Sequence, residues 1–213
     1  MTDSSRASSP STPQIRAAVL GGLPAVCAAR GIDLAALLAA SAIPATALAD
    51  PDARIPLLKF GELIERAVIA SDRADIVLQL AAQVRLVREG PLAVLLGSVP
   101  RVSRTLELAA RYMRLHNEAL HVWMQNEADA DGERHVAIGL EYFVGEGSHR
   151  SRLTEFSMGV LFASLREMLG EDWTPTAVAF RHAPATARHG FARWFGAPVR
   201  FEDSHDAMYC PYR

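Results

Sequence analysis

Apolar positions along this chain follow two rhythms, one close to the helical repeat and one alternating, and the change between them falls near Ala119. Over residues 14–30, Ile15, Ala18, Val19, Val26 and Cys27 recur at helical spacing, interrupted by Gly21, Gly22 and Pro24. Gly31 then offers a left-handed stop. Asp33 is placed to cap a short helix over 34–40, and Asp50-Pro51-Asp52 has the composition of a turn. The stripe Phe60, Leu63, Ile64, Ala67 and Val68 predicts a helix over 57–70. Residues 74–87 read as helical too, until Glu89-Gly90-Pro91 breaks the pattern before an apolar run at 92–96, and Val99-Pro100 breaks it again. Val102, Thr105, Leu106, Ala109, Tyr112, Met113 and His116 then line one face of a long amphipathic helix over 102–117.

The period now becomes 2. Leu120, Val122 and Met124 alternate with His121, Trp123 and Gln125, and after Asp131-Gly132 the series Val136, Ile138, Leu140, Tyr142 alternates again, which predicts a β-hairpin. Its second face carries His121, Trp123 and Gln125 beside His135, Ala137, Gly139, Glu141 and Phe143, a mixed rather than a purely solvent-like surface. A helix over 152–170, with Phe156, Met158, Val160, Leu161, Phe162, Leu165 and Leu169 apolar, is the candidate central helix. Strands over 176–181, 199–201 and 207–210 and a short helix over 186–195 complete the reading. The expected fold class is α+β: N-terminal helices, then a small antiparallel sheet with a long helix packed on it.

Composition adjusts this picture in a few places. With 213 residues, half of them hydrophobic, and a net charge of −2, the chain has the profile of an ordinary globular protein with enough mass for one sizeable core. Residues 1–13 are a polar Ser/Thr/Pro-rich lead-in, expected to be disordered, and 14–213 form the folded domain. Cys27 and Cys210 are far apart and belong to no metal-ligand spacing, so free thiols are expected. The N-terminus lacks the order of a secretory signal, and no apolar run approaches the roughly 18–20 residues of a membrane span. The expectation is a cytoplasmic protein without a membrane partner. A DNA-gripping module would carry a basic stripe, and none is visible.

Several local phrases then fall into a known order: Gly31-Ile32-Asp33 followed by Leu37-Leu38, Asp50-Pro51-Asp52 with Ile55-Pro56, and the segment from Ser98 to Leu106 leading to Arg111-Tyr112. Trp173-Thr174-Pro175, His182-Ala183-Pro184, Phe195-Gly196-Ala197-Pro198-Val199 and Phe201 follow. In this order the chain resembles the arabinose-binding-like N-terminal domain of one branch of AraC/XylS transcription regulators, over roughly residues 14–210. Members of that branch usually have Ser-Pro-Thr where this chain has Val99-Pro100-Arg101, and they continue into two helix-turn-helix units that are not in this sequence. The expectation is therefore a piece of a longer regulator, with a stand-alone small-molecule sensor or adaptor as the alternative. The resemblance implies a domain that binds a small effector and supports a homodimer, while DNA is read by a C-terminal domain outside this chain.

Catalytic signatures are absent from the sequence: there is no GxSxG, Walker A, GxGxxG after a strand, or HExxH. No enzyme activity, no cofactor and no metal are expected. A haem-sensor reading fails for want of the Tyr-x-Ser-x-Arg signature. The remaining chemistry is a mainly apolar pocket with a few convergent polar groups. The candidates to line it are Tyr112 and His116 on one helix, Trp123, Glu141 and Phe143 on the hairpin's mixed face, and Met158 and Phe162 on the long helix. Arg150 and Arg152, near that helix's N-terminus, are candidates to receive a carboxylate. The competing explanation for the aromatic and sulfur side chains is ordinary core, and for the arginines solvated loop charge.

Overall fold

The computed structural model describes residues 12–84, 94, 101–128, 132–145, 148–184 and 188–211. Most of the predicted lead-in, the apolar run at 92–96 apart from Val94, the Val99-Pro100 break and the start of the helix predicted at 186 lie outside the described residues.

The first predicted helix is in part a strand. Gln14–Arg16 (β1) pairs antiparallel with Arg54–Pro56 (β2), setting Ile15 opposite Ile55, and both are buried. The Leu57 amide donates to the Pro13 carbonyl at 2.9 Å and extends the pairing. Helical spacing of apolar residues over so short a stretch does not outweigh a partner strand that satisfies the backbone. A 3₁₀ turn at Ala17–Leu20 leads into Leu23–Arg30 (α1), which has Pro24 in its first turn and ends at Gly31 with φ 65°. Leu34–Ala40 (α2) is capped by Asp33, whose carboxylate accepts from the Ala36 amide at 3.0 Å. Leu57–Ser71 (α3) buries the stripe read from the sequence apart from Val68, which is partly exposed. Ile76–Ala81 (α4) occupies the first part of the predicted helix over 74–87, whose last residues are not described.

Val102–Tyr112 (α5) is shorter than predicted, because Met113–Leu115 tightens into a 3₁₀ turn and Asn117 bridges to Ile15. Thr105 is the buried residue of α5, so this helix sits on the fold with a shallow contact. Leu120–Ala128 (β3) and Arg134–Tyr142 (β4) form the expected hairpin, in a register that pairs Leu120 with Tyr142 and Trp123 with Gly139. Ser148–Leu169 (α6) is the long helix, starting a few residues earlier than predicted. Ala177–Ala179 (β5), Arg188–Phe195 (α7), Val199–Arg200 (β6) and Ala207–Pro211 (β7) follow.

The main sheet has the order β3-β4-β7-β5-β6. It is mixed rather than antiparallel throughout, because β5 and β6 run parallel. The reason is the connection: α7 lies between them in the chain, and a crossover helix returns the chain in the same direction. α6 packs on β4 by one face and on α3 and α4 by another, so it forms the middle layer of the α+β fold. Phe156 on α6 meets Phe60 of α3 edge-on, with centroids 4.9 Å apart, and Phe162 meets Phe195 of α7 at 5.2 Å. Where α6 crosses α4, Gly159 permits the approach: a Cβ there would lie 2.7 Å from that of Ala81.

Candidate functional site

A cavity of about 70 Å³ lies between α5, the hairpin and α6. Its walls follow from the two periodicities. α5 and the turn after it present Thr105, Leu106, Ala109, Met113 and His116 at helical spacing; β3 and β4 present Leu120, Val122 and Leu140 from one face of the hairpin; α6 presents Phe156, Ser157, Val160, Leu161, Ser164 and Met168. Ile15 and Asn117 close one end.

The turn carrying His116 is held by β1 and β2 on its outer side. The Arg16 amide donates to the His116 carbonyl at 3.0 Å, the Glu118 amide to the Gln14 carbonyl at 3.0 Å, and the Arg54 guanidinium to the Leu115 carbonyl at 2.8 Å. Arg16 itself is ion-paired with Asp52. Beside this turn runs a buried polar chain: Asn117 Nδ2 donates to Tyr142 Oη at 3.0 Å, and Tyr142 Oη shares a hydrogen bond of 2.8 Å with Ser157 Oγ. Asn117 Oδ1 accepts from the Ala119 amide at 3.1 Å, so this side chain fixes the start of β3 as well. Burial pushes the Tyr142 hydroxyl up to about 12, so it stays protonated and available to the chain of hydrogen bonds.

His116 differs from these neighbours. It is buried, yet its Nδ1 has no hydrogen-bond partner. Burial, with smaller contributions from the charges of Arg16 and Arg54, lowers its pKa from 6.5 to about 4, so the ring is neutral near pH 7. The folded pKa lies below the unfolded one, so the unfolded chain takes up a proton first as pH falls. The contribution to stability is therefore complete above about pH 6.5 and is lost between 6.5 and 4. About 3 kcal/mol is expected to disappear over that window, from the difference between the two pKa values. Urea unfolding of the wild type and of His116→Phe at pH 7.5 and 4 checks this: the wild type should lose more stability than the variant by about that amount.

The other residues anticipated from the sequence are dispersed. Tyr112 on α5 is not among the residues that line the cavity; it is partly buried against the core, with the Arg111 guanidinium 5.6 Å from its ring centroid. Trp123 and Glu141 lie on the opposite face of the sheet, in a shallow depression with Gln125, Arg181, His205 and Asp206. Trp123 covers Gly139, where a Cβ would fall 1.8 Å from its ring, and meets His205 edge-on at 5.7 Å. Phe143 is exposed and near His121. Met158 and Phe162 are buried core side chains, Phe162 against Phe195 and Trp173. The hairpin face expected to close the cavity is thus replaced by the other one, because Leu120, Val122 and Leu140 are the side chains that turn toward α5 and α6.

Arg152 does not stand open to a carboxylate from outside. Its Nε donates to Glu65 at 2.7 Å and its Nη1 to Glu155 at 2.8 Å, and His182 Nε2 approaches Glu155 at 3.6 Å. Burial pushes the Glu155 carboxyl up and Arg152 opposes it. Arg150, two residues earlier, is partly buried and close enough to Asp206 to lower that carboxyl's pKa, against a larger upward push from burial. The structure therefore joins His116 to the cavity and leaves the remaining candidates elsewhere. Thr105, Leu106, Ala109 and Met113 belong to the stripe visible in the sequence, whereas Asn117, Ser157 and Ser164 gave no signal there because isolated polar residues near apolar ones are common.

Among the described residues, no group of three or more His, Cys, Asp or Glu side chains is arranged to hold a metal ion. Among the described residues, no helix is long and apolar enough to cross a membrane. The cavity thus combines a mainly hydrocarbon lining with a histidine whose Nδ1 is unpaired.

Comparison with known proteins agrees with this architecture. Residues 31–213 match the family model described as the arabinose-binding domain of AraC transcription regulator, N-term. The crystal structure of the transcriptional regulator CdpR from Pseudomonas aeruginosa is similar in fold, with a TM-score of 0.57 and 18% identity, over 84% of this chain and 53% of that one. The chain thus spans about half the length of that regulator. No curated protein sequence matches it.

Proposed function

The chain belongs to the family of N-terminal arabinose-binding domains of AraC transcription regulators, and from that premise we propose that it senses a small effector in the cavity between α5, the hairpin and α6. The single observation that carries this reading is the unpartnered Nδ1 of buried His116 at a cavity with apolar walls. A polar atom withheld from water and from the protein is costly, and a guest that bonds to it removes the cost. The proposed work of the domain is regulatory rather than catalytic.

The proposed signal travels through α5. This helix forms one wall of the cavity and has a shallow hold on the rest of the fold, so occupancy can change its position at a small cost to the core. The effector biases the arrangement of the domain, and of a homodimer built from it, only by its difference in affinity between the two arrangements. DNA binding belongs, in this proposal, to a C-terminal domain of a longer regulator, acting in the cytoplasm.

A thermal-shift screen of amino acids, fatty acids, aromatic acids, sugars and their uncharged counterparts, run in parallel on the wild type and on Ala109→Phe, tests the reading. The added ring fills the cavity from its α5 wall. At least one compound is expected to raise the wild-type midpoint and to lose that effect in the variant, since a ligand of the folded state stabilises it by mass action. Compounds that act equally on both proteins would argue against the cavity as the sensing site.

A further inference from the structure

We infer that the cavity selects an uncharged, largely apolar molecule carrying one hydroxyl or carbonyl group that pairs with His116, and that it rejects both sugars and carboxylates; this deepens the effector reading above and rests on it. The argument begins with the walls. Leu106, Leu120, Val122, Leu140, Phe156 and Val160 supply hydrocarbon from three sides, and among the described residues no arginine, lysine or carboxylate lines the space. The hydroxyl groups that reach it are largely engaged already: Thr105 donates to the Arg101 carbonyl at 3.1 Å, and Ser157 shares its hydrogen bond with Tyr142. The polar capacity left for a guest is the His116 ring, whose Nδ1 has no partner, with the Ser164 hydroxyl and the second Nδ2 hydrogen of Asn117 beside it.

That inventory decides between ligand classes. A pentose would bring several hydroxyl groups into a space with few free partners, and each group left unpaired weakens binding by roughly tenfold or more. A carboxylate fares no better. The two guanidiniums felt at His116 are both engaged, Arg16 by Asp52 and Arg54 by the Leu115 carbonyl, and neither lines the cavity. An anion would be desolvated without a counter-charge. The imidazole is itself held neutral by burial, so it acts as a hydrogen-bonding group rather than as a cation. A hydroxyl suits either tautomer of the ring, because it can both donate and accept. The space of about 70 Å³ takes a guest of a few heavy atoms as it stands, and a ring-sized one requires α5 to move outward.

The test is an NMR titration of the full chain, labelled at the histidine imidazoles and at the Leu, Ile and Val methyl groups, with phenol, benzene, benzoate and arabinose. Phenol and benzene are expected to shift the methyl signals of Leu106, Leu120 and Val160, with phenol binding about tenfold more tightly and also moving the His116 ring signals. In His116→Phe the advantage of phenol over benzene should vanish, and in His116→Gln, which keeps a hydrogen-bonding group, it should persist. Benzoate or arabinose binding in the cavity more tightly than phenol would overturn the ligand class and leave the effector reading standing. Equal affinity for phenol and benzene in the wild type would overturn the role of His116. If none of the four probes perturbs the cavity signals, the ligand class and the effector reading fail together.

Discussion

Arg152→Ala is expected to lower folding stability by about 3–5 kcal/mol, the range for removing one partner of a buried ion pair. The guanidinium is mostly buried and reaches two carboxylates, Glu65 at 2.7 Å and Glu155 at 2.8 Å. Glu155 is the vulnerable partner, since its side chain is 1% exposed and its remaining neighbour of possible positive charge is His182 at 3.6 Å. Without Arg152, desolvation acts on that carboxylate unopposed by its main counter-charge, and protonation or local opening must follow. The double variant Arg152→Met with Glu155→Leu is expected to recover most of the loss, because removing both charges also removes the penalty of burying them. Urea midpoints of the three proteins measure the effect. A loss below 1 kcal/mol in the single variant would mean that this pair behaves as a surface salt bridge.

Phe156→Ala carries an effect of similar size, about 3–5 kcal/mol for a large aromatic removed from a core. Phe156 is 2% exposed, packs edge-on against Phe60, and forms part of the cavity wall. Its removal joins new empty volume to space already present, so collapse of the surroundings should relieve little of the cost. Benzene is expected to restore part of the lost stability by occupying the enlarged space, as apolar cavities of this kind stay dry and accept apolar guests. Chemical denaturation with and without saturating benzene gives both quantities in one experiment.

The sequence carried much of this fold because its apolar periods are long where the elements are long. α3, the hairpin and α6 each repeat their pattern often enough to set the element type, and the structure places them accordingly. β1 and the parallel β5–β6 pairing were not legible. β1 has three residues, too few for a period, and its identity is decided by the distant partner β2. The parallel pairing depends on where the chain returns after α7, which no local pattern encodes.

The site was legible by half. The stripe through Thr105, Leu106, Ala109, Met113 and His116 reaches the cavity as a unit, since helical spacing puts those side chains on one side. On the hairpin the sequence points to the other face, because Trp123, Glu141 and Phe143 look richer in chemistry than Leu120, Val122 and Leu140. Period 2 fixes which residues travel together but not which set turns inward. Arg152 shows the same limit: a guanidinium near a helix start reads as an anion receptor until its partner, Glu65, arrives from 87 positions away in the chain.

The central claim is that the guest sits between α5, the hairpin and α6. The most direct test is a crystal structure of the chain with the strongest stabilising compound from the paired screen. The account predicts density for that compound between Leu106, Leu140 and Val160, with a polar atom within hydrogen-bond distance of His116 Nδ1. Density instead in a second, open groove lined by Arg73, Phe162, Arg166, Glu167 and Trp194, or against Trp123 on the far face of the sheet, with the cavity unchanged, would contradict it.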